Sequence, residues 1–191
     1  MNISLAYGWR QIFRNQSSIL VFVSYVPFRV MPLIELPHTP NCLVCGRGNV
    51  HGLKLNLYVD ESAGIVRTRF TPQPHHVGFD GVVHGGVIAT VLDEAMVWAA
   101  TWSGRRFCLC GEMTVRFRRK IAIGEHVDVE ASVLAARAKL VKTVGTVFSS
   151  SGELLAESSG KYVPLEEVRH RSVVQTLVDD PTTDRAAARF R

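Results

Sequence analysis

The 191-residue chain is predicted to be an α+β protein in which one long helix packs on one antiparallel sheet. Three observations carry that expectation. Apolar and polar residues alternate over 52–60 and 64–71; the stretch 85–102 holds no Pro and, after Gly86, no Gly; and four further strand-like runs follow it.

The elements follow in order. "GLKLNLYVD" (52–60) and "GIVRTRFT" (64–71) predict a hairpin closed by Glu61-Ser62-Ala63. Residues 72–83, rich in Pro, His and Gly, read as a loop. The Ala, Leu and Met content of 85–102 predicts a helix. Strands are expected at 107–120, 125–138, 139–150 and 154–165, with a turn at 151–153.

The ends read differently. "SSILVFVSYVPFRVMPLIEL" (17–36) is apolar, but Pro27, Arg29 and Pro32 interrupt it far short of the ~20 residues a membrane-spanning helix needs. Residues 1–36 are therefore expected to be an extension, with Met31 as an alternative start that would make 1–30 dispensable. Residues 166–191, ending "DDPTTDRAAARFR", have charge and turn residues with little apolar period and are read as a tail. The domain proper is expected over 37–165.

Apolar content of 47% and charged content of 20% place the chain among globular proteins. The net charge of +5 favours an anionic partner. The basic residues cluster at strand ends rather than along one helix, which points away from nucleic acid and toward a phosphorylated small molecule. Four cysteines, as Cys42-x-x-Cys45 and Cys108-x-Cys110, are too few for a disulfide scaffold, so a reducing cytoplasm is expected. One CxxC is half a zinc site, so the thiols are expected to be reduced and buried, with no metal.

"GVVHGGVIATVLDEA" (81–95) begins the helix on two glycines and places an acid inside an apolar run. This HGG, Asp93 nine residues after His84, "EMTVRFRRK" on the following strand and the leader "CLVCGRGNVHGL" resemble the hotdog-fold acyl-CoA thioesterases, most nearly the PaaI-like (phenylacetyl-CoA thioesterase) group, over about residues 40–165. The resemblance implies a hotdog fold, in which an antiparallel sheet of about six strands wraps round the central helix. It also implies a homodimer or a dimer of dimers, and hydrolysis of an acyl- or aryl-CoA thioester with no cofactor beyond the coenzyme A of the substrate.

The residues suit that chemistry on their own terms. A helix N-terminus offers unpaired N–H groups, and glycine allows close approach, so Gly85 and Gly86 are the expected oxyanion donors. Asp93 shares a helix face with Gly85, Ala89 and Val97 and is the expected nucleophile or general base. His84 is expected to orient the loop, and Glu94 to point to solvent. Gly85 and Asp93 stand eight residues, or about 12 Å, apart along the helix. One carbonyl cannot touch both, so the acid is expected to come from a second chain across a two-fold interface.

Coenzyme phosphates need cations. Arg116, Arg118 and Lys120 alternate on one strand face with Arg119 opposite, and Arg137, Lys139 and Lys142 flank the next junction. Two positions depart from the resemblance. Gly78 stands where members often carry an asparagine, and Cys110 where many place Ser or Thr; Cys110 is expected to be a core residue. Trp98 and Trp102 are expected in the core. The competing readings are a non-catalytic acyl-CoA-binding protein and a hydratase, the latter weakened by the distance between His84 and Asp93.

Overall fold

A helix with apolar residues on nearly every side must be covered on nearly every side, and that requirement shapes the domain. The computed structural model describes residues 9–14, 20–24 and 33–191. The chain divides into two units, Met1–Met31 and Pro32–Arg191. The first holds an antiparallel hairpin of β1 (Trp9–Arg14) and β2 (Leu20–Ser24); Met31, the alternative start, lies outside the described residues.

The second unit contains β3 (Ile34–Glu35), β4 (Leu57–Asp60), β5 (Ile65–Phe70), β6 (Val77–Phe79) and β7 (Val82–Val83). There follow α1 (Gly85–Gly104), β8 (Cys108–Phe117), β9 (Val127–Arg137), β10 (Leu140–Ser149), β11 (Leu154–Pro164), α2 (Glu167–Val174) and α3 (Asp184–Ala187). Seven strands form one antiparallel sheet in the order β3-β4-β5-β9-β10-β11-β8. The predicted hairpin is β4–β5. Its turn is held by Asp60, whose Oδ1 accepts from the backbone N–H groups of Ser62 and Ala63 at 2.9 and 3.1 Å.

α1 lies against this sheet through Ile88, Val91, Leu92, Ala95, Met96 and Ala99, all buried. The helix sits close because β10 and β11 have no side chain beneath it at two points. A Cβ on Gly145 would stand 2.9 Å from Met96 Sδ, and one on Gly160 would stand 2.9 Å from Met96 Cε. Among the described residues no helix is long and apolar enough to cross a membrane.

Three expectations change. The sheet reaches into the expected extension, since Ile34 and Glu35 pair with Val59 and Tyr58; a two-residue strand has too little periodicity to show in sequence. The expected loop 72–83 contains the small hairpin β6–β7, turned on Asp80 and Gly81, both at positive φ. That is the Asp-Gly signature of a tight hairpin. The expected tail packs as well. Phe190 is buried against Trp98, Trp102 and Phe107 at ring separations of 6.0, 6.1 and 5.5 Å, and buried His170 ties Phe107 N–H to the carbonyl of Phe190. One aromatic in a polar stretch leaves almost no periodic signal, yet it completes the cover over the C-terminal half of α1, where Trp98 and Trp102 are core residues as expected.

Candidate active site

His84 is the N-cap of α1, with extended backbone at φ −63° and ψ 132°. The Gly86 N–H donates to its Nδ1 at 2.9 Å, and the Val87 N–H donates to its carbonyl at 2.9 Å. An imidazole nitrogen that accepts carries no proton, so the neutral ring holds its proton at Nε2. His84 therefore caps the helix start, and it occupies one of the two expected oxyanion donors. The Gly85 N–H has no hydrogen-bond partner among the described residues and is the free donor.

Beside it opens a cleft of about 470 Å³ whose lining includes the apolar Phe79, Val83, Ile88 and Phe117 together with Gly85 and the cationic Arg118, Arg119 and Lys120. The Phe117 ring lies against the helix start, so that a Cβ on Gly85 would stand 3.2 Å from its Cζ. Gly78 forms the cleft wall with no side chain, and a Cβ there would stand 3.1 Å from the Cα of His84.

Asp93 lies farther along α1 and is half-buried. The Tyr162 hydroxyl donates to its Oδ1 at 2.8 Å. Tyr162 is wholly buried, and burial together with the Asp93 carboxylate holds its hydroxyl protonated far above the usual range. Cys110, paired with Tyr162 across β8 and β11, reaches the same carboxylate, and burial and the Asp93 charge raise its thiol. Cys110 is exposed, which corrects its reading as a core residue. Tyr162 escapes a reading of the sequence because only the packing of α1 against β11 brings it to Asp93.

β8 links the two places: Cys110 stands by Asp93, and Phe117 stands by Gly85. They remain separate within one protomer, as helix rise requires. β8 is also the sheet's outer strand, ten residues long, with Leu109 and Phe117 more than half exposed. A long edge of this kind is normally covered.

The expected cations divide. Arg118 lines the cleft, but it and Arg116 both reach the Oε1 of Glu157, Arg116 at 3.6 Å. Glu157 is fully buried, so these guanidiniums balance its charge. Arg119 bridges to Glu153 at 3.1 Å, whereas Lys120 is exposed with no acidic partner among the described residues. Arg137 and Lys139 sit at the β9–β10 turn, near the Tyr162 end of the sheet. The cleft lies at the Phe117 end, about six residues or 20 Å along the strands, so the fold does not bring that pair to it.

Glu94 does not point to solvent. Its carboxylate accepts from the Trp98 indole N–H at 3.1 Å and lies beside Cys42 and Cys45, and burial followed by the Cys42 charge pushes it up to about 7.

One long helix lying across a single antiparallel sheet, its N-terminus at a cleft, is shared with known structures. The chain superimposes on a thioesterase superfamily protein with TM-score 0.61 at 24% identity, covering 65% of this chain and 60% of that one. This is a hotdog fold. The hotdog domain also matches the PaaI protein from the phenylacetic acid degradation operon of E. coli, with TM-score 0.55 at 17% identity, over 60% of this chain and 81% of that one. A third match is smu.793 from Streptococcus mutans, solved bound to acetyl CoA, with TM-score 0.51 at 14% identity over 53% and 82%. Residues 80–156, from the β6–β7 turn into β11, match the sequence model of the thioesterase superfamily. No curated protein sequence matches this one.

Proposed function

We propose that this hotdog protein is an acyl-CoA thioesterase of the PaaI-like group, hydrolysing an acyl- or aryl-CoA to the free acid and coenzyme A. The observation that carries the reading is the unpartnered Gly85 N–H beside a cleft whose lining combines Phe79, Val83, Ile88 and Phe117 with Arg118, Arg119 and Lys120. An acyl-CoA likewise combines an apolar chain with phosphates, joined through a thioester. The superfamily match and the neighbour solved with acetyl CoA support it.

The carbonyl oxygen sits at the Gly85 N–H, where the helix dipole favours developing negative charge. Neutral His84 offers its Nε2–H from the same helix start. Asp93, oriented by Tyr162, takes a proton from water as that water adds to the carbonyl, or attacks the carbonyl itself. Collapse of the tetrahedral adduct breaks the C–S bond. On the water route the departing thiolate takes up the proton held by Asp93. On the direct route it leaves an Asp93 acyl anhydride, whose hydrolysis by water releases the free acid, restores the carboxylate and supplies the proton to the thiolate.

Because Gly85 and Asp93 are too far apart in one chain, the acting Asp93 belongs to the partner of a homodimer, with the outer strand β8 as its meeting edge. Lys120 and Arg119 are the cations we assign to the coenzyme phosphates. The four free cysteines suit a cytoplasmic location.

The test is a panel of short, medium, long and aromatic acyl-CoAs with detection of released thiol. Turnover that Asp93→Asn abolishes supports the reading. Folded protein that binds acyl-CoA without releasing coenzyme A refutes it in favour of a binding protein.

A further inference from the structure

The "NCLVCG" loop lies outside the cleft, and nothing in the thioester chemistry uses it. Cys42, Cys45 and Glu94 each present one donor atom, and the three atoms lie within 4.8 Å of one another. We propose that these residues form a zinc site that fastens the Cys42–Cys45 loop to the middle of α1.

Three features of the molecule support it. The loop is shaped to direct both sulfurs inward: the Gly46 N–H donates to the Cys42 carbonyl at 3.1 Å, and a Cβ on Gly46 would stand 2.5 Å from Cys42 backbone atoms. The Cys42 Sγ faces the backbone N–H groups of Val44 and Cys45 at 3.3 and 3.5 Å, donors that stabilise a thiolate. The Glu94 carboxylate is held by the Trp98 indole N–H, the outer-shell bond that typically orients a ligating group.

Charge completes the case. Cys45 is buried, Cys42 and Glu94 are half-buried, and Glu94 makes no ion pair among the described residues. Two sulfur donors and a carboxylate gathered without a cationic side chain match the donor set of zinc, which takes Cys sulfur and carboxylate oxygen in a tetrahedron. Ligand atoms around such an ion stand roughly 3.3–3.8 Å apart, a contraction that rotation of the side chains supplies. The fourth position is left to water. Cys108 and Cys110 take no part: the first is buried with its thiol on the Arg106 carbonyl, and the second is at Asp93.

The experiment uses the full-length protein, reduced, stripped by a chelator and titrated with Zn²⁺ against a chromogenic competitor. A parallel titration with Co²⁺ reads sulfur-to-cobalt charge-transfer absorbance. One zinc per chain and a charge-transfer band are expected. Cys42→Ser and Cys45→Ser should each weaken zinc binding by at least about 100-fold, and Trp98→Phe, which removes the outer-shell donor together with part of a ring packed on Phe107 and Phe190, by about 10-fold. Cys108→Ser/Cys110→Ser should bind as wild type. Zinc taken up equally by a Cys42→Ser/Cys45→Ser double variant, or reduced wild-type protein with no charge-transfer band, overturns the site. Should the cysteine variants not fold, the wild-type cobalt spectrum beside the Cys108→Ser/Cys110→Ser control still decides. Metal content is read without turnover, so this result stands apart from the thioesterase assay.

Discussion

Replacing Gly85 by Pro removes the one backbone N–H assigned to the proposed oxyanion site. The position tolerates the change better than any other in α1. It is the first residue of the helix, where proline's fixed φ fits and its missing N–H costs no helical bond. His84 before it already has the extended backbone that a following proline demands. The ring does meet Phe117, since a Cβ at 85 stands 3.2 Å from Cζ, and the phenyl must shift by a few tenths of an ångström. Gly85→Ala brings the same Cβ but keeps the N–H, so comparing the two variants isolates the donor. Loss of one oxyanion donor typically lowers kcat by about 10²–10³, or roughly 3–4 kcal/mol of transition-state stabilisation. We expect Gly85→Ala within about threefold of wild type and Gly85→Pro about 100-fold or more below Gly85→Ala, with KM little changed. Steady-state release of coenzyme A measures this, with thermal denaturation to show that both variants fold. Equal kcat for the two folded variants refutes the assignment of Gly85 as the oxyanion donor.

Four further outcomes follow from the same geometry. Asp93→Asn and Gly85→Pro chains, inactive alone, should regain up to about half the wild-type rate per dimer when mixed, because one of the two shared sites is then intact; no recovery in a verified heterodimer places the acid elsewhere. Tyr162→Phe should reduce kcat by about tenfold, since a hydrogen bond to a charged group contributes about 1.5–3 kcal/mol, while KM stays constant. Lys120→Ala should raise KM for an acyl-CoA by about three- to tenfold but leave unchanged that of a truncated thioester lacking the phosphates, as expected for a charge-assisted contact. Glu130, buried beside Arg67 at 3.3 Å, is pushed up to about 7 chiefly by burial, with Arg67 opposing and Asp128 adding. Its folded value lies above its unfolded one, so the folded state holds the extra proton and stability falls as pH rises from about 4.5 to 7, by at most about 3 kcal/mol from this group. Denaturant titrations across that range should show a shallower slope for Glu130→Gln.

Much of this was legible in the residue pattern because the governing periods are local. The β-branched, strand-like pattern of "GIVRTRFT" and the largely apolar run free of Pro and Gly after Gly86 identify β5 and α1 before any packing is considered, and rise per residue alone separates Gly85 from Asp93. Tertiary structure decided what depends on contacts between distant segments. Tyr162 meets Asp93 sixty-nine positions away only because the fold packs α1 against β11. Phe190 becomes core because α1 offers Trp98 and Trp102, not because its own neighbours are apolar. Charge was the least legible of all. Arg116 and Arg118 look like phosphate ligands in a strand of alternating cations, but buried Glu157 on the neighbouring strand draws both, and Glu94 turns inward to two sulfurs. Hydrophobic periodicity is written along the chain, whereas the partner of a charge is set by whichever segment the fold lays beside it.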